Sequence, residues 1–304
     1  MMKKTVLITG AAGFIGSHVA AEYAKRGMRV IGLGRSDWTD WQGHGIAEWH
    51  RCEITLDSLV ECGGTPDVIV HCAGGSSVGF SVQAPYQDFL QTVQVTAQVL
   101  EFMRLHARHA KFVYPSSAAV YGEVKKLPIS EETALQPISP YGVYKQMAES
   151  LCQLYARQYQ LSMSIVRLFS IYGEGLRKQL LWDACNKLSK GESEFYGTGE
   201  EVRDWLHVQD ATNLLVLAAE YASPACPTLN GGMGEGVYVK DLLQYLSEQL
   251  GLSIKPQFSS LAKAGDPNAY VADMAIAKQW GWSPQTKWRS GVAHFAQWFL
   301  GEKK

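Results

Sequence analysis

The sequence lacks the features that mark several classes of protein. Its cysteines are scattered without a C-x-x-C pair, and its histidines form no H-x-x-x-H pair, so neither a disulfide framework nor a metal site is predicted. No run of about 18 apolar residues occurs, and the residues before the first strand lack the layout of a secretory leader. A formal net charge of −1 gives no footprint for nucleic acid or an anionic membrane. We therefore expect a cytoplasmic protein with reduced thiols and no metal, nucleic-acid or membrane partner. The cysteines are Cys52, Cys62, Cys72, Cys152, Cys185 and Cys226.

What the sequence does contain begins at residues 5–16, TVLITGAAGFIG. A short buried strand ends at Gly10. Two more glycines, Gly13 and Gly16, follow at three-residue spacing, and an amphipathic run over residues 17–26 then predicts a helix. This order of strand, tight turn and helix is typical of a turn that holds a dinucleotide pyrophosphate at the helix N-terminus. The predicted cofactor contacts here are Gly10, Gly13, Phe14, Ile15 and Gly16.

The second strand, predicted over residues 29–33, ends in Gly34 and Arg35. An acidic residue at this point accepts hydrogen bonds from a free ribose diol, whereas a guanidinium suits a 2′-phosphate. The sequence therefore favours NADP(H). The alternative is a solvated loop arginine with NAD(H) bound by other groups.

Two later strand ends add predicted cofactor contacts. Glu53 and Ile54 follow the third strand, where they could bracket the adenine ring, and Ala73 and Gly74 follow the fourth, where small residues leave room for a flat cofactor. One long helix is predicted over residues 85–108. The strict alternation of strands and helices predicts a parallel sheet with right-handed crossovers.

The candidate catalytic residues are Ser117, Tyr141 and Lys145. Tyr141 and Lys145 are four residues apart on a predicted helix at residues 141–159, so the phenol and the ammonium share a helix face. A neighbouring ammonium favours phenolate, which we expect to lower the pKa of Tyr141 toward the working range. Ser117 follows the fifth strand, where its hydroxyl could hold a substrate oxygen against the tyrosine.

These motifs together resemble an extended short-chain dehydrogenase/reductase of the nucleotide-sugar epimerase/dehydratase family. The resemblance covers the chain to about residue 210, with a weaker match near the C-terminus. Its blocks are TGAAGFIG (9–16), PSSAAVYG (115–122), YGVYK (141–145), RLFSIYG (167–173), GTGEEVRDWLHV (197–208) and the weaker GDPNAYVADMAIAKQWGWSP (265–284).

The resemblance implies an α/β fold, with a Rossmann-type doubly wound parallel sheet and a smaller C-terminal α/β substrate-binding lobe. It places an NAD(P)-binding domain at residues 1–170, with residues from about 203 to 230 returning to it, and the lobe at residues 171–304. It implies that Lys145 also binds the nicotinamide ribose, that Ser117, Ser170 and Arg203 bind substrate, and that Arg203 pairs with its diphosphate. It also implies a homodimer through the helices at 85–108 and 141–159.

The chain departs from the family pattern at informative positions. Members that eliminate water carry Asp-Glu directly after the catalytic hydroxyl residue, where this chain has Ala118 and Ala119. Members that epimerise carbons 3 and 5 before reduction carry a cysteine nearby, which the alanines also argue against. Ser170 replaces the family's usual asparagine and Glu174 its usual proline, which leaves the sugar contacts open.

Three functions follow from these residues. Because Arg35 favours a dissociable NADP, the first hypothesis is reduction of a 4-keto nucleotide sugar by NADPH, with Tyr141 as proton donor. The alternative is a nucleotide-sugar 4-epimerase, in which a bound cofactor takes hydride from carbon 4 and returns it to the opposite face. The third is a nucleotide sensor that has kept the fold without the activity.

Overall fold

A computed structural model describes residues 3–260 and 267–303. Gly265 and Asp266, the first residues of the C-terminal block, lie outside the described residues. Among the helices in those two ranges, none is long and apolar enough to cross a bilayer. All six cysteines are free thiols.

The first part of the chain alternates strands and helices. In order they are β1 (Thr5–Thr9), α1 (Phe14–Lys25), β2 (Arg29–Gly34), β3 (Glu48–Arg51), α2 (Leu56–Cys62), β4 (Val68–His71), α3 (Val78–Gln83), α4 (Pro85–Phe89), α5 (Val95–His106), β5 (Lys111–Ser117), α6 (Pro140–Tyr159) and β6 (Ser162–Leu168).

The remaining elements are shorter strands and several helices. In order they are β7 (Ser170–Tyr172), α7 (Gln179–Leu188), β8 (Glu194–Phe195), β9 (Val202–His207), α8 (Val208–Tyr221), β10 (Thr228–Gly231), β11 (Gly236–Tyr238), α9 (Val239–Gln249), β12 (Gln257–Phe258), α10 (Ala275–Gln279) and α11 (Trp288–Glu302).

The central sheet has seven strands in the order β10-β6-β5-β4-β1-β2-β3, which confirms the predicted doubly wound fold. The pairs β3–β2, β2–β1, β1–β4 and β4–β5 are parallel. The direction of winding reverses between β1 and β4, and ligands of such sheets bind in the crevice at the carboxyl ends of the strands at this point. The fold therefore brings the glycine turn after β1 beside Ala73 and Gly74 after β4.

The core of this region lies between the sheet and the helices α2, α5 and α6. Large and small side chains from strands and helices meet there, which is how interdigitating side chains fill a core to high density. Members of this cluster that are at most 1% exposed include Leu7, Ile31, Leu33, Ile69, Val99, Phe102, Phe112, Cys152 and Ala156.

The helix predicted at residues 85–108 is interrupted. A π-helical turn over residues 90–94 separates α4 from α5. The hydroxyl of Thr96 donates to the Thr92 carbonyl (2.6 Å), and the Thr92 hydroxyl accepts from the Gly75 amide (2.9 Å). Hydrophobic periodicity does not report such polar contacts, and so the sequence pattern indicated one continuous helix.

The chain divides into two compact units. The first contains residues up to Gly122, then Ala134–Arg167 and Thr212–Leu229; the second contains Glu123–Thr133, Leu168–Ala211 and the residues from Asn230 onward. The segment that returns to the first unit thus begins at Thr212, later than the predicted position near 203. The reason is that β9 pairs with β7 and β11 in a three-stranded sheet of the second unit.

Candidate active site

The glycine turn after β1 has the geometry of a phosphate cradle. A Cβ atom at Gly10 would lie 2.6 Å from the Ala73 nitrogen, and one at Gly16 would lie 2.3 Å from the Gly10 oxygen. Gly10 also has a φ of 71°, which favours glycine. Gly13 caps α1, and no side chain occupies the cap or places an acid in the first turn. Phe14 and Ile15 begin the helix, so their amides are among its unpaired donors. The turn fits a dinucleotide pyrophosphate.

A buried polar chain supports this turn from the sheet side. His71 lies between the hydroxyls of Thr9 (2.6 Å) and Thr96 (3.1 Å), and all three side chains are at most 1% exposed. Because Thr96 already donates to the Thr92 carbonyl, its oxygen accepts the Nε2 proton of His71, and Nδ1 accepts from Thr9. Burial lowers the pKa of His71 to about 3, so the ring is neutral. Sequence reasoning missed this histidine, although a histidine inside a buried strand was a visible anomaly.

The end of β2 explains why Gly34 is not acidic. A Cβ atom at Gly34 would lie 2.9 Å from the Trp49 indole of β3, and one at Gly32 would lie 3.1 Å from the same ring. The indole therefore covers the end of the strand, where an acid would select a free ribose diol. The lack of an acid at this position has a steric cause within the fold.

Two guanidinium groups lie at the ends of β2 and β3. Arg35 is more than half exposed and lies 4.0 Å from Glu53, while Arg51 donates to the Arg35 carbonyl (3.2 Å) and pairs with Asp37 (3.4 Å). These exposed pairs are weakly held, because solvent screens them. Ile54 differs from expectation: its side chain is only 6% exposed and belongs to the core cluster, so it contributes little surface to an adenine ring.

Ser117, Tyr141 and Lys145 come together in the first unit. Ser117 ends β5, and Tyr141 and Lys145 lie on the first turns of α6, which Ser139 caps through the Gly142 amide (3.2 Å). The Ser117 hydroxyl is hydrogen-bonded to Tyr141 and also accepts from the Ala119 amide (3.2 Å). The Lys145 ammonium donates to the Pro115 carbonyl (3.0 Å) and lies 6.0 Å from the centroid of the Tyr141 ring.

The electrostatics of this set differ from the sequence-based expectation. Burial raises the pKa of Tyr141 to about 12, and the Ser117 hydrogen bond offsets this only in part. Burial also lowers the pKa of Lys145 to about 8. The expected lowering of the phenol pKa was wrong for the protein alone, because desolvation of the phenol dominates and the charge of Asp88 adds to it. The Lys145 ammonium is hydrogen-bonded to the Pro115 carbonyl.

A buried ion pair lies one turn further along α6. Arg167 on β6 pairs with Glu149 (2.8 Å), and the Ser116 hydroxyl donates to the same carboxylate (2.5 Å). Arg167 also donates to the Tyr121 hydroxyl (3.0 Å), and both charged residues are at most 4% exposed. The network ties β5, β6 and α6 together beside the three candidate residues. Sequence reasoning did not find it, since no local spacing links residues 149 and 167.

The predicted substrate residues Ser170 and Arg203 lie in the second unit, on neighbouring strands. Ser170 of β7 is paired with Trp205 of β9, and Arg203 precedes Trp205 by two positions. The Arg203 guanidinium donates to the Val202 carbonyl (2.9 Å). Arg203 stays half-exposed on β9.

Asp204, next to Arg203 on β9, has a structural role. Its carboxylate accepts the amides of Met233, Gly234 and Ala272 at 2.5–3.0 Å. The side chain is 0% exposed, and these three amides satisfy it within the second unit. Asp204 is therefore committed to the backbone around it and is not a partner for the Arg203 guanidinium.

Glu174, at the family's usual proline position, pairs with His207 at the end of β9 (3.1 Å). The hydrogen bond from His207 lowers the pKa of Glu174 to about 2. The ring's other nitrogen accepts the Gln209 amide (3.3 Å), which leaves Nε2 as the donor to Glu174. The unusual glutamate therefore fixes the end of β9, the strand that carries Arg203.

Comparison with known proteins agrees with this geometry. The model of the NAD dependent epimerase/dehydratase family matches residues 6–229. The chain belongs to this family. It is 30% identical to UDP-glucose 4-epimerase 4 of Oryza sativa subsp. japonica, over 96% of this chain and 95% of the relative.

Solved structures agree with the family assignment. The UDP-glucose 4-epimerase of Thermotoga maritima with UDP-glucose superposes with a TM-score of 0.90 at 27% identity, covering 99% of this chain and 100% of that one. MoeE5 in complex with UDP-glucuronic acid and NAD gives 0.89 at 30% identity, covering 98% and 99%. The chain is therefore an enzyme of the extended short-chain dehydrogenase/reductase type, and the relatives favour the 4-epimerase hypothesis over the reductase.

Proposed function

We propose that this protein is a 4-epimerase of a UDP-linked hexose or hexuronic acid. The observation that carries the proposal is the hydrogen-bonded Ser117–Tyr141 pair beside Lys145, followed by Ala118 and Ala119 instead of an acid pair. The set can move a proton at a sugar hydroxyl, but those two positions offer no base for the elimination of water. Relatives named as UDP-sugar 4-epimerases support this assignment over reduction.

In this proposal each residue has a defined task. Tyr141 takes the proton from the sugar's C4 hydroxyl and later gives it back, while Ser117 holds the same oxygen in line. The bound dinucleotide supplies a hydride acceptor and donor at carbon 4. Lys145 holds the nicotinamide ribose and, as a cation, favours the phenolate. The pKa of about 12 for Tyr141 must fall for this step, and an oxidised nicotinamide would, when bound, supply a positive charge that favours the phenolate.

For the cofactor, we propose the phosphorylated dinucleotide over NAD. The supporting residues are Arg35 and Arg51, two exposed guanidiniums at the ends of β2 and β3, and Trp49, which occupies the place of an acid. Arg35→Asp should reverse the ratio of the two dissociation constants measured by calorimetry. Arg26→Asp, which changes an exposed arginine at the end of α1, is the control; tighter NAD binding by the unmutated protein would refute the preference.

For the substrate, we propose that Arg203 binds the nucleotide diphosphate. A guanidinium can form paired charge-assisted hydrogen bonds with a diphosphate, which lysine cannot reproduce. Arg203→Leu should weaken binding of free UDP while the melting temperature hardly changes. Unchanged UDP affinity with a large loss of thermal stability would make Arg203 a structural residue.

We also propose that the protein is a homodimer. Val143, Met147 and Leu154 of α6 expose 37–45% of their surface at helical spacing, which gives this helix an apolar outer stripe. A second copy covers this stripe in the proposed dimer. Met147→Glu should therefore sediment as a monomer, whereas Arg157→Glu, at the exposed far end of the same helix, should sediment like the unmutated protein. A Met147→Glu variant that still sediments as a dimer would refute this contact.

The activity is tested by supplying the purified protein with UDP-glucose, UDP-galactose and their uronic acids. The proposal expects interconversion of the C4 epimers without net change in nicotinamide absorbance. Stoichiometric oxidation of NADPH by a 4-keto nucleotide sugar, without epimerisation, would support the reductase in its place. Release of a 4-keto-6-deoxy product would contradict both hypotheses.

A further inference from the structure

Asp88 on α4 is a buried carboxylate without a visible partner. The residue is 0% exposed, and neither side-chain oxygen forms a hydrogen bond with any part of the chain that the structure describes. Buried carboxylates in proteins are ordinarily paired or hydrogen-bonded, because an isolated charge is costly to desolvate. An exception of this kind needs a reason, and the family motifs found in the sequence do not involve it.

The carboxylate packs directly on the turn that follows β4. A Cβ atom at Gly75 would lie 1.7 Å from Asp88 Oδ1, so a side chain at this position would displace the carboxylate. The Gly75 amide is bound by Thr92, one turn after Asp88 on the same helical segment. Asp88 therefore lies against Gly75, the residue that follows the predicted cofactor contacts Ala73 and Gly74.

Asp88 is also close to the catalytic candidates. Both α3 and α4 pack against α6, and the Tyr141 amide donates to the Ser81 hydroxyl of α3 (3.0 Å). The negative charge of Asp88 raises the pKa of the Lys145 ammonium and that of the Tyr141 phenol, and the Lys145 ammonium in turn lowers the pKa of Asp88. The hydrogen bond recorded for the Lys145 ammonium goes to the Pro115 carbonyl, so no carboxylate is hydrogen-bonded to it among the described residues.

We propose that Asp88 is a positioning residue for the Tyr141–Lys145 pair, whose buried, unpaired charge keeps the Lys145 ammonium protonated within an apolar setting. The residue does not touch the substrate in this proposal. It acts through Lys145, and its lack of other partners leaves its full charge available to that cation. A paired carboxylate would be neutralised and would do this less well.

The other groups around Lys145 cannot replace it. Glu149 is neutralised by Arg167, and burial raises the pKa of the Cys72 and Cys152 thiols, which therefore carry no charge at neutral pH. Three further neighbours, His71, Tyr114 and Tyr141, are neutral for the same reason, since burial shifts the pKa of each away from its charged form. Asp88 is thus the uncompensated anion among the described groups that act on Lys145.

The test follows the titration of Lys145 directly. Protein labelled with ¹³C at lysine Cε is titrated by NMR, and the Lys145 resonance is assigned by its loss in Lys145→Arg. Since Asp88 raises the pKa of Lys145, its removal should lower it further. Asp88→Asn should therefore move the Lys145 midpoint down by about one pH unit.

Matched variants separate charge from structure. Asp57→Asn removes an exposed carboxylate on α2 and should leave the midpoint unchanged. Asp88→Ser also removes the charge and should shift the midpoint in the same direction. It takes the place of the asparagine variant if that variant folds poorly. A midpoint that coincides with that of the unmutated protein in a folded Asp88 variant would overturn the proposal.

The proposal rests on the same site as the proposed 4-epimerase, and its readout does not depend on turnover. If the protein epimerises no UDP-sugar but the Lys145 midpoint shifts, the role of Asp88 stands and the substrate assignment fails. If epimerisation occurs and the Lys145 midpoint does not shift, the substrate assignment stands and the role of Asp88 fails.

Discussion

Two carboxylates act on Lys145, and they are buried in contrasting ways. Glu149 is 1% exposed and accepts hydrogen bonds from Arg167 and Ser116, so its charge is fully compensated. Asp88 is 0% exposed and has no partner among the described residues. The first arrangement holds strands and helix together, whereas the second costs stability and leaves a charge acting on its surroundings. Burial alone therefore does not tell whether an acidic residue is structural or functional.

The comparison depends first on Tyr141 being the group that moves the proton. Tyr141→Phe removes the phenol hydroxyl and little contact area, so turnover should fall on the order of 10²- to 10⁴-fold. Affinities for cofactor and UDP should stay nearly unchanged, as calorimetry would check. A variant that keeps more than about a tenth of the turnover would show that another group transfers the proton. Glu149 and Asp88 could then not affect proton transfer through Tyr141.

Arg167→Met removes the cation from the buried Arg167–Glu149 pair. Glu149 would then be a buried charge without its cation, and the free energy of unfolding should fall by about 3–5 kcal/mol. Denaturant unfolding measures this. The double variant Arg167→Met with Glu149→Leu removes both charges and should recover most of the loss. If the double variant is no more stable than the single one, the loss comes from packing around Arg167 and not from the unpaired charge.

Adjacent serines separate the paired network from the catalytic candidates. Ser116 donates to Glu149, and Ser117 is hydrogen-bonded to Tyr141. Ser116→Ala should lower the free energy of unfolding by about 1.5 kcal/mol, the value of a hydrogen bond to a charged group, with little effect on turnover. Ser117→Ala should lower turnover and should have little effect on the free energy of unfolding. The same loss in both properties for both variants would mean that the two hydroxyls serve one network.

The difference between these regions also marks how far the sequence could be interpreted. Local spacing predicted the glycine turn, the strand ends and the Tyr141–Lys145 face, because each depends on residues within one or two turns of each other. Tertiary packing brings together Glu149 and Arg167, and likewise Gly75 and Asp88. The hydrophobic periodicity of the sequence does not show such contacts. Trp49 beside Gly34 is a similar case, since the missing acid was visible in the sequence but its steric cause was not.

Desolvation was the other effect that spacing could not supply. The sequence places an ammonium one turn from a phenol and so predicts a lower phenol pKa. The structure adds the burial of both groups, which moves the pKa of Tyr141 up to about 12 and that of Lys145 down to about 8. The two groups do lie close together as predicted, and the predicted charge state was wrong for the protein alone.

The smallest expected effect is a change in stability when the buried carboxylate of Asp88 is removed, and this change depends on pH. Burial raises the pKa of Asp88 above 3.8, and Lys145 offsets this only in part. Between 3.8 and the raised value the folded protein binds more protons than the unfolded chain, so the ionised carboxylate costs stability as the pH rises through this window. Asp88→Asn should accordingly be more stable than the unmutated protein at neutral pH, by about 1 kcal/mol.

This gain should shrink as the pH falls through the raised pKa of Asp88 and should reach its minimum below pH 3.8, where the carboxyl is neutral in both states. Thermal unfolding of both proteins from neutral to acidic pH measures the difference, with Asp57→Asn as the exposed control. A gain that is independent of pH would come from amide packing and not from the removed charge. A loss of stability at neutral pH would mean that the Asp88 carboxylate is compensated in solution, and the contrast with Glu149 would then disappear.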